Sequence, residues 1–248
     1  MFKTWLTALG IMIVCATSAM AEEIVLRVAH DATWPPMEFM DENRKIVGYS
    51  VDYIDAVAKE AGFKVDHKSV AWDGIFSGLK SKKYDVISSS VTITPERAKV
   101  MDFSEPYYEV RQAVVTPKGM TLKTLADMNG KTLGAQIGTT GFMAITKAPG
   151  VKAKSFDEIG MAMEALAAGR LDGVVCDDPT ATNYILANKD YAEKMHVAVV
   201  LPADVPEYYG FAVDKGNTKV VELLNKGIAA VKAKGIDKEL RKKWIGAE

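Results

Sequence analysis

An arginine that closely follows a run of three serines is the residue of this sequence whose chemistry is easiest to interpret. Arg97 comes shortly after the serine run that ends at Ser90 and just after Thr92 and Pro95. A guanidinium group offers a planar fork of donors that matches a carboxylate two hydrogen bonds at a time, and nearby hydroxyl groups would add partners. The pattern therefore predicts a carboxylate-binding site around Arg97. The alternative is a solvated arginine in the first turn of a helix that begins at Pro95.

The elements that would position such a site alternate between strands and helices. Apolar spacing from Val51 to Ala61 predicts a helix that ends at Gly62, and apolar runs on either side predict strands. The same alternation of predicted strands and helices recurs from residue 110 to residue 201, and two predicted helices follow at 217–234 and 237–244. This order predicts two α/β units, each with a mainly parallel sheet flanked by helices, with ligands bound beyond the carboxyl ends of the strands.

The N-terminal residues have the pattern of a secretory signal peptide covering residues 1–21. Lys3 supplies the positive charge, 6–16 is an apolar core, and Ala19-Met20-Ala21 is an A-x-A cleavage site, so the mature chain should begin at Glu22. The apolar run is shorter than the ~20 residues of a membrane span. We therefore expect export to the periplasm without membrane insertion. Bulky Val14 before Cys15 does not favour a lipid anchor.

Charge and composition exclude several classes of function. Loss of Lys3 with the signal would leave 30 basic against 32 acidic residues, whereas nucleic-acid binding calls for a basic face. Cys176 would be the only cysteine, so an intramolecular disulfide is excluded, and without a nearby histidine it suits a small buried side chain better than a nucleophile. The histidines (His30, His67 and His196) lack the spacing of metal ligands, so we expect neither a metal nor a cofactor.

Several short motifs, in a shared order, resemble the extracytoplasmic solute-binding proteins of ABC importers for polar amino acids. The resemblance covers nearly the whole mature chain. The motifs are Asp31 to Phe39, Gly48-Tyr49-Ser50-Val51-Asp52, Trp72-Asp73-Gly74-Ile75, Ser88 to Ser104, Gly138-Thr139-Thr140, Asp177-Asp178-Pro179 and Tyr209-Gly210-Phe211-Ala212.

The resemblance implies a type II periplasmic-binding-protein fold, in which two α/β lobes are joined by two hinge crossings and close on an amino acid. We expect lobe one to contain 22–110 and 208–248, lobe two to contain 111–207, and the crossings to lie near 108–111 and 205–208. It also implies a monomeric protein whose partners are a small amino acid and a membrane ABC permease.

The resemblance assigns the two charges of the ligand to two residues. Arg97 would bind the α-carboxylate, with Ser90, Thr92 and Thr139 completing its hydrogen bonds, and Asp177 would bind the α-ammonium. Both charges need partners because a zwitterion loses hydration at each end when it leaves water. Asp177 has an alternative interpretation as the N-cap of a following helix.

The remaining site residues of the resemblance concern the ligand side chain. Trp34 and Trp72 would flank it, unless they are core residues, and Asp31 would reach its far end, unless it is only a turn residue. A carboxylate there favours a cationic or amide side chain. Gln136 stands where some glutamine-binding relatives carry lysine, and Thr140 replaces a glycine of others, so the ligand's identity stays open.

An enzyme is the main alternative function. The fold also hosts a cyclohexadienyl dehydratase and a murein-cleaving glycosidase relative, and both need a carboxyl group poised as a general acid. Asp31 and Asp177 are the carboxylates expected toward the cleft, and Asp177 is engaged with an ammonium. We therefore expect no carboxyl group with an obviously raised pKa, and hence no catalysis.

Overall fold

The computed structural model describes residues 23–202 and 206–246, which form two α/β lobes. The predicted signal peptide and its cleavage site lie outside these residues. Within them, no helix is long and apolar enough to cross a membrane.

The first lobe is built on a mixed five-stranded sheet. Its strands are β1 (Val25–His30), β5 (Lys64–Ser69), β6 (Val86–Ile87), β7 (Met101–Phe103) and β15 (Ala212–Asp214). They lie in the order β5-β1-β6-β15-β7, with the first three parallel and β15 antiparallel to both of its neighbours. The helices of this lobe are α1 (Tyr49–Ala61), α2 (Ile75–Lys80), α3 (Pro95–Ala98), α8 (Thr218–Ala233) and α9 (Ile236–Trp244).

The second lobe repeats this sheet order. Its strands are β9 (Gln112–Pro117), β10 (Thr132–Gln136), β11 (Lys152–Phe156), β12 (Gly173–Asp177) and β13 (Met195–Val200). They lie in the order β11-β10-β12-β9-β13, and again three strands are parallel while two pairings are antiparallel. Its helices are α4 (Thr140–Lys147), α5 (Ile159–Ala167), α6 (Asp178–Ala187), α7 (Lys189–Lys194) and a 3-10 turn (Leu125–Met128).

Two short strands connect the lobes. Strand β8 (Tyr108–Val110) pairs antiparallel with β14 (Glu207–Tyr209), where the two crossings were expected. Residues 203–205 of the second crossing lie outside the described residues, so the lobe boundaries stay a prediction. A small meander of β2 (Thr33–Trp34), β3 (Glu38–Met40) and β4 (Ile46–Val47) follows β1.

Helix α1 shows how local sequence positions the first lobe. Its apolar positions face α8 and the sheet in one buried cluster, as the spacing predicts. The helix ends because Gly62 adopts φ 85°, a left-handed conformation open to glycine, and its N–H bonds the carbonyl of Ala58 at 2.9 Å.

The two lobes are in contact in this structure. Trp34 of the first lobe packs among Ala113, Ile159 and other core residues of the second. The hydroxyl of Tyr184 donates to the carbonyl of Thr33 across the same boundary at 3.3 Å. The structure therefore represents a closed arrangement of the lobes.

Candidate functional site

A narrow cavity of about 10 Å³, close to the space that one water molecule needs, lies between the lobes. Eight of the ten predicted site residues line it, together with Ser89. The lining residues are Trp34, Trp72, Ser89, Ser90, Thr92, Arg97, Thr139, Thr140 and Asp177. Asp31 and Gln136 are not in this lining.

Arg97 is a buried cation without an acidic partner. Arg97 is only 8% exposed, so it is not the solvated first-turn residue of the alternative interpretation. Nη1 donates to the carbonyl of Thr92 at 2.8 Å and Nη2 to that of Gly138 at 3.1 Å. No described carboxylate lies within ion-pair distance of it. Burial lowers the pKa of Arg97 to about 10, so it remains charged at neutral pH and available to an anion.

Two aromatic rings and the N-terminus of α3 hold the Arg97 guanidinium in place. The hydroxyl of Thr94 caps α3 by accepting from the Arg97 N–H at 3.2 Å. The guanidinium carbon then lies 5.6 Å from the ring centroid of Trp72 and 5.4 Å from that of Phe76. Contact with the ring faces restricts the rotamers of the arginine, so its free donors keep a fixed direction.

The hydroxyl of Ser90 has a partner that the sequence did not suggest. Ser90 adopts φ 48°, which is uncommon outside glycine, and its Oγ donates to Oε2 of the fully buried Glu38 at 3.0 Å. Its hydrogen therefore points away from a ligand carboxylate, while its lone pairs remain available. Thr92 contributes its carbonyl to Arg97, and its hydroxyl lies 3.5 Å from that of Thr140.

Helix α4 presents its N-terminus to the same cavity. Gly138 adopts φ 72° before Thr139, whose hydroxyl accepts from the N–H of Phe142 at 3.2 Å and donates to the carbonyl of Gln136 at 2.7 Å. The Thr139 hydroxyl is thus occupied as a helix cap. The first N–H groups of a helix have no partner within it and carry partial positive charge, so this end of α4 favours an anion near Arg97.

Asp177 is the negative counterpart of Arg97. It ends β12 and occupies the N-cap position of α6, but its side chain makes no capping hydrogen bond to that helix. Oδ1 accepts from Nε2 of Gln112 at 2.7 Å, and Oδ2 accepts from the hydroxyl of Tyr209 at 2.5 Å. Burial raises the pKa of Asp177 to about 6 because only neutral donors compensate its charge.

Asp31 and Gln136 bind each other across the lobe boundary. Oδ2 of Asp31 accepts from Nε2 of Gln136 at 2.8 Å, and Oδ1 accepts from the hydroxyl of Thr33 at 3.0 Å. Gln136 also donates to the carbonyl of Asp157 at 2.8 Å and accepts from the indole N–H of Trp34 at 2.6 Å. We call these contacts of Gln136 the interlobe clasp. Asp31 is therefore occupied in this arrangement, and burial raises its pKa.

The two tryptophans are at once core and lining residues. Trp34 packs into the core of the second lobe, and Trp72 packs edge-on against Phe76 with ring centroids 5.0 Å apart in the first lobe. Each also faces the cavity. Trp34 and Trp72 are therefore core residues that also face the proposed ligand site.

Sequence reasoning missed four groups near the site: Glu38, Gln112, Glu207 and Tyr209. Two of them, Glu38 and Tyr209, lie in motifs that carried the family resemblance, which was the available signal. The expectation of no carboxyl group with a raised pKa is wrong. Burial raises the pKa of Asp31, Glu38, Asp177 and Glu207.

Two histidines lie together outside the site. Parallel pairing of β1 and β5 brings Nε2 of the buried His30 to 2.9 Å from Nδ1 of His67, whose Nε2 lies 3.0 Å from Oδ1 of Asp55. No group of three or more potential ligands was found in the described parts of the chain. Cys176 is buried, and burial raises the pKa of its thiol, which is unlike an activated nucleophile.

A larger depression of about 410 Å³ on the first lobe has no buried charged residue in its lining. It lies beside Arg27 and Lys215. Arg27 pairs with Asp85 at 2.8 Å and Lys215 with Asp102 at 2.7 Å. The opposite charges of Arg97 and Asp177, each without an ionic partner among the residues described, distinguish the interlobe cavity.

The solved structures most useful for comparison are of amino-acid-binding proteins. An ancestral arginine-binding protein bound to arginine superimposes with a TM-score of 0.83 at 40% identity, covering 90% of this chain and 98% of that chain. An ancestral arginine-binding protein bound to glutamine gives a TM-score of 0.82 at 41% identity, covering 90% of this chain and 98% of that chain. The ancestral amino-acid-binding protein AncCDT-1, described as a precursor of cyclohexadienyl dehydratase, gives 0.79 at 33% identity, covering 89% and 95%.

Proteins of known name that are similar in sequence are also amino-acid-binding proteins. The chain is 36% identical over 230 residues to ABC transporter arginine-binding protein 1 of Escherichia coli strain K12, covering 91% of each. It is 34% identical over 228 residues to a probable histidine-binding protein of Neisseria gonorrhoeae, covering 90% of this chain and 84% of the relative. The fold is that of the type II periplasmic binding proteins. A family model matches residues 26–247, and the chain belongs to the bacterial extracellular solute-binding proteins, family 3.

Proposed function

We propose that the mature chain is the substrate-binding component of an ABC importer and binds a polar L-amino acid between its lobes. The observation that carries this proposal is the pair of opposite charges that line one cavity, Arg97 and Asp177, neither of which has an ionic partner among the described residues.

The charges suit the two ends of an α-amino acid. The carboxylate would accept from Arg97 and from the start of α4, and the ammonium would donate to Asp177 and to the lone pairs of Ser90. Each protein charge is already desolvated, so a zwitterion would neutralise both at once. A ligand with one of the two charges would leave the other protein group unpaired.

The ligand side chain that fits best is cationic or carries an amide. Trp34 and Trp72 would pack against its stem, and Asp31 would receive its terminal donors in place of the Gln136 amide, which now makes the same bond. A carboxylate side chain would face Asp31 and be disfavoured by like charge. Relatives named for arginine and histidine are consistent with this class.

The cellular assignments follow from the family and the N-terminal sequence. We propose that the protein is a periplasmic monomer that delivers its amino acid to a membrane permease. Residues 1–21 would direct its export and then be cleaved, and Cys15 would carry no lipid.

The proposed function includes no catalysis. Glu38 has the raised pKa that a general acid needs, but it is fully buried and is not among the residues that line the cavity. A group that cannot reach a substrate does not act as its acid. Asp177 also has a raised pKa and does line the cavity, but in the proposed complex it is paired with the ligand ammonium. The similar ancestral protein AncCDT-1 is itself described as amino-acid-binding.

The proposal is tested by ligand-dependent stability and calorimetry across the twenty L-amino acids. A ligand at ~100 times its dissociation constant should stabilise the native state by roughly 2.7 kcal/mol. Arginine, lysine, histidine or glutamine should bind better than glutamate or aspartate, and D-enantiomers should bind weakly. Product formation from prephenate or arogenate, or glutamate or aspartate as the tightest ligand, would contradict the proposal.

A further inference from the structure

Asp177 is held by two side chains from different parts of the fold. Tyr209 reaches Oδ2 from the hinge strand β14, and Gln112 reaches Oδ1 from the first residue of β9. Neither was among the predicted site residues, and neither lines the cavity. Both are buried, with Tyr209 completely so.

The hydroxyl of Tyr209 has its direction fixed by aromatic packing. Its ring stacks on Tyr108 at a centroid distance of 5.5 Å and an interplanar angle of 19°, and it packs against Tyr107 at 6.1 Å. The ring therefore has little freedom to turn its hydroxyl away from Asp177. On the other side, Nε2 of Gln112 is also 3.0 Å from the hydroxyl of Thr140, which ties it to helix α4.

These contacts leave the Asp177 carboxylate able to accept further hydrogen bonds. Each carboxylate oxygen has two lone pairs and receives one donor here, so both can still accept from a group in the cavity. We infer that Tyr209 and Gln112 are positioning residues that aim the Asp177 carboxylate at the α-ammonium of the bound amino acid and keep it ionised. The inference deepens the proposed function and rests on it.

The position of Tyr209 also links this charge to the hinge. Tyr209 pairs with Tyr108 of the other crossing strand and forms a bridge with Thr92, whose carbonyl holds Arg97. One strand therefore supports both the carboxylate of the second lobe and the loop that carries the guanidinium of the first. Tyr209 contributes to the relative placement of the two charges.

Other titratable and charged groups surround Asp177. Those that interact with it electrostatically are Glu207 on β14, Asp178 on α6, Arg97, Glu38 on β3, Tyr108 on β8 and Cys176 on β12. The test therefore needs a signal assigned to Asp177 itself, because Glu207 also has a raised pKa.

The test compares Tyr209→Phe with Tyr107→Phe. Both changes remove one buried tyrosine hydroxyl from the same aromatic cluster, but that of Tyr107 lies 3.2 Å from Ser50 Oγ and does not touch Asp177. Carbon-detected NMR of the ligand-free protein would follow the Asp177 carboxyl through pH 4 to 9. A lost hydrogen bond to a charged group should raise the pKa of Asp177 by about one in Tyr209→Phe and leave it unchanged in Tyr107→Phe.

Binding provides a second readout, with L-arginine as the probe. Asp177 must be ionised to bind the ammonium, so a pKa raised from about 6 to about 7 weakens Tyr209→Phe relative to wild type by about fivefold at pH 6 and by less than about twofold at pH 8. A purely structural role would weaken binding equally at both pH values. Gln112→Met should change the same two readouts in the same direction, which keeps the test decisive if Tyr209→Phe does not fold.

An unchanged pKa of Asp177 in both Tyr209→Phe and Gln112→Met, or equal weakening at pH 6 and pH 8, would overturn the inference. Failure of the proposed function is distinguishable. If wild-type protein binds none of arginine, lysine, histidine and glutamine, the proposed ligand class is in error, while the NMR titration still decides whether Tyr209 and Gln112 hold the Asp177 charge.

Discussion

At the scale of single residues, the ionised carboxylate of Asp177 lowers the stability of the folded protein. It is buried, its pKa is raised to about 6, and the donors around it are neutral. At pH 7 its ionised form is therefore less favourable in the folded protein than in the unfolded chain. Such destabilised groups are typical of binding sites.

Asp177→Asn should accordingly separate binding from stability. We expect α-amino acids to lose most of their affinity, while the thermal midpoint of the ligand-free protein at pH 7 stays equal to wild type or rises. The reason is that the change removes an uncompensated buried charge and keeps the shape of the side chain. Calorimetry and thermal unfolding measure the two effects. Unchanged affinity with a lowered midpoint would assign Asp177 a structural role only.

Residues in local motifs could be predicted from the sequence, whereas contacts across the lobes could not. Arg97 was predictable because its serine run, breaker and helix start lie within a few positions. The partners of Asp177 were not, because Gln112 and Tyr209 reach it only once the hinge has brought three distant strands together. Ser90 lines the cavity and Asp31 does not, and their hydrogen-bond partners, Glu38 and Gln136, are not revealed by local pattern.

At the scale of secondary-structure elements, long periodic segments were predictable and short strands were not. Helices α1, α8 and α9 lie within a residue or two of their predicted bounds. Strands β2, β4, β8 and β14 have two or three residues, too few for a period to be recognised, and they exist because tertiary pairing supplies their partners. The expectation of mainly parallel sheets holds for three strands of each sheet, and the remaining strands pair antiparallel.

The contact between α1 and α8 gives a prediction about packing. Gly227 lies within α8, and a Cβ there would meet the carbonyl oxygen of Val57 on α1 at 2.4 Å. Helix propensity alone favours Gly227→Ala by about 1 kcal/mol, but overpacking of a core contact costs roughly 1 to 3 kcal/mol. We expect the change to lower the free energy of unfolding or leave it unimproved.

Ala229→Gly on the exposed face of α8 is the matched control. It makes the reverse exchange where packing is absent and should cost about 1 kcal/mol through propensity alone. Denaturant unfolding measures both. A clear gain in stability for Gly227→Ala would show that the two helices are not packed as closely as described.

At the scale of the whole molecule, the interlobe clasp connects the two lobes. Gln136 makes three hydrogen bonds in it, two of them to first-lobe side chains, Asp31 and Trp34. Gln136→Ala should therefore shift ligand-free protein toward an open arrangement, because the closed state loses the bonds to Asp31 and Trp34, which an open state would not make.

Small-angle X-ray scattering would detect this shift as a larger radius of gyration of ligand-free Gln136→Ala, restored toward the wild-type value by saturating ligand. Thr33→Val is the control, since it removes a bond to Asp31 within the first lobe and none between the lobes. Equal radii for Gln136→Ala and wild type without ligand would mean that the clasp does not determine closure.

The central claim is that Arg97 binds the carboxylate of an amino acid. Calorimetry of L-arginine and agmatine, which lacks the carboxylate, on wild type and Arg97→Ala tests it most directly. Wild type should bind arginine far more tightly than agmatine. Arg97→Ala should weaken arginine by roughly 3 to 5 kcal/mol, the cost of leaving a buried charge unpaired, or about two to four decades. It should change agmatine little, so that the preference for arginine is largely lost. A loss below tenfold for arginine, or an equal loss for both compounds, would contradict the claim.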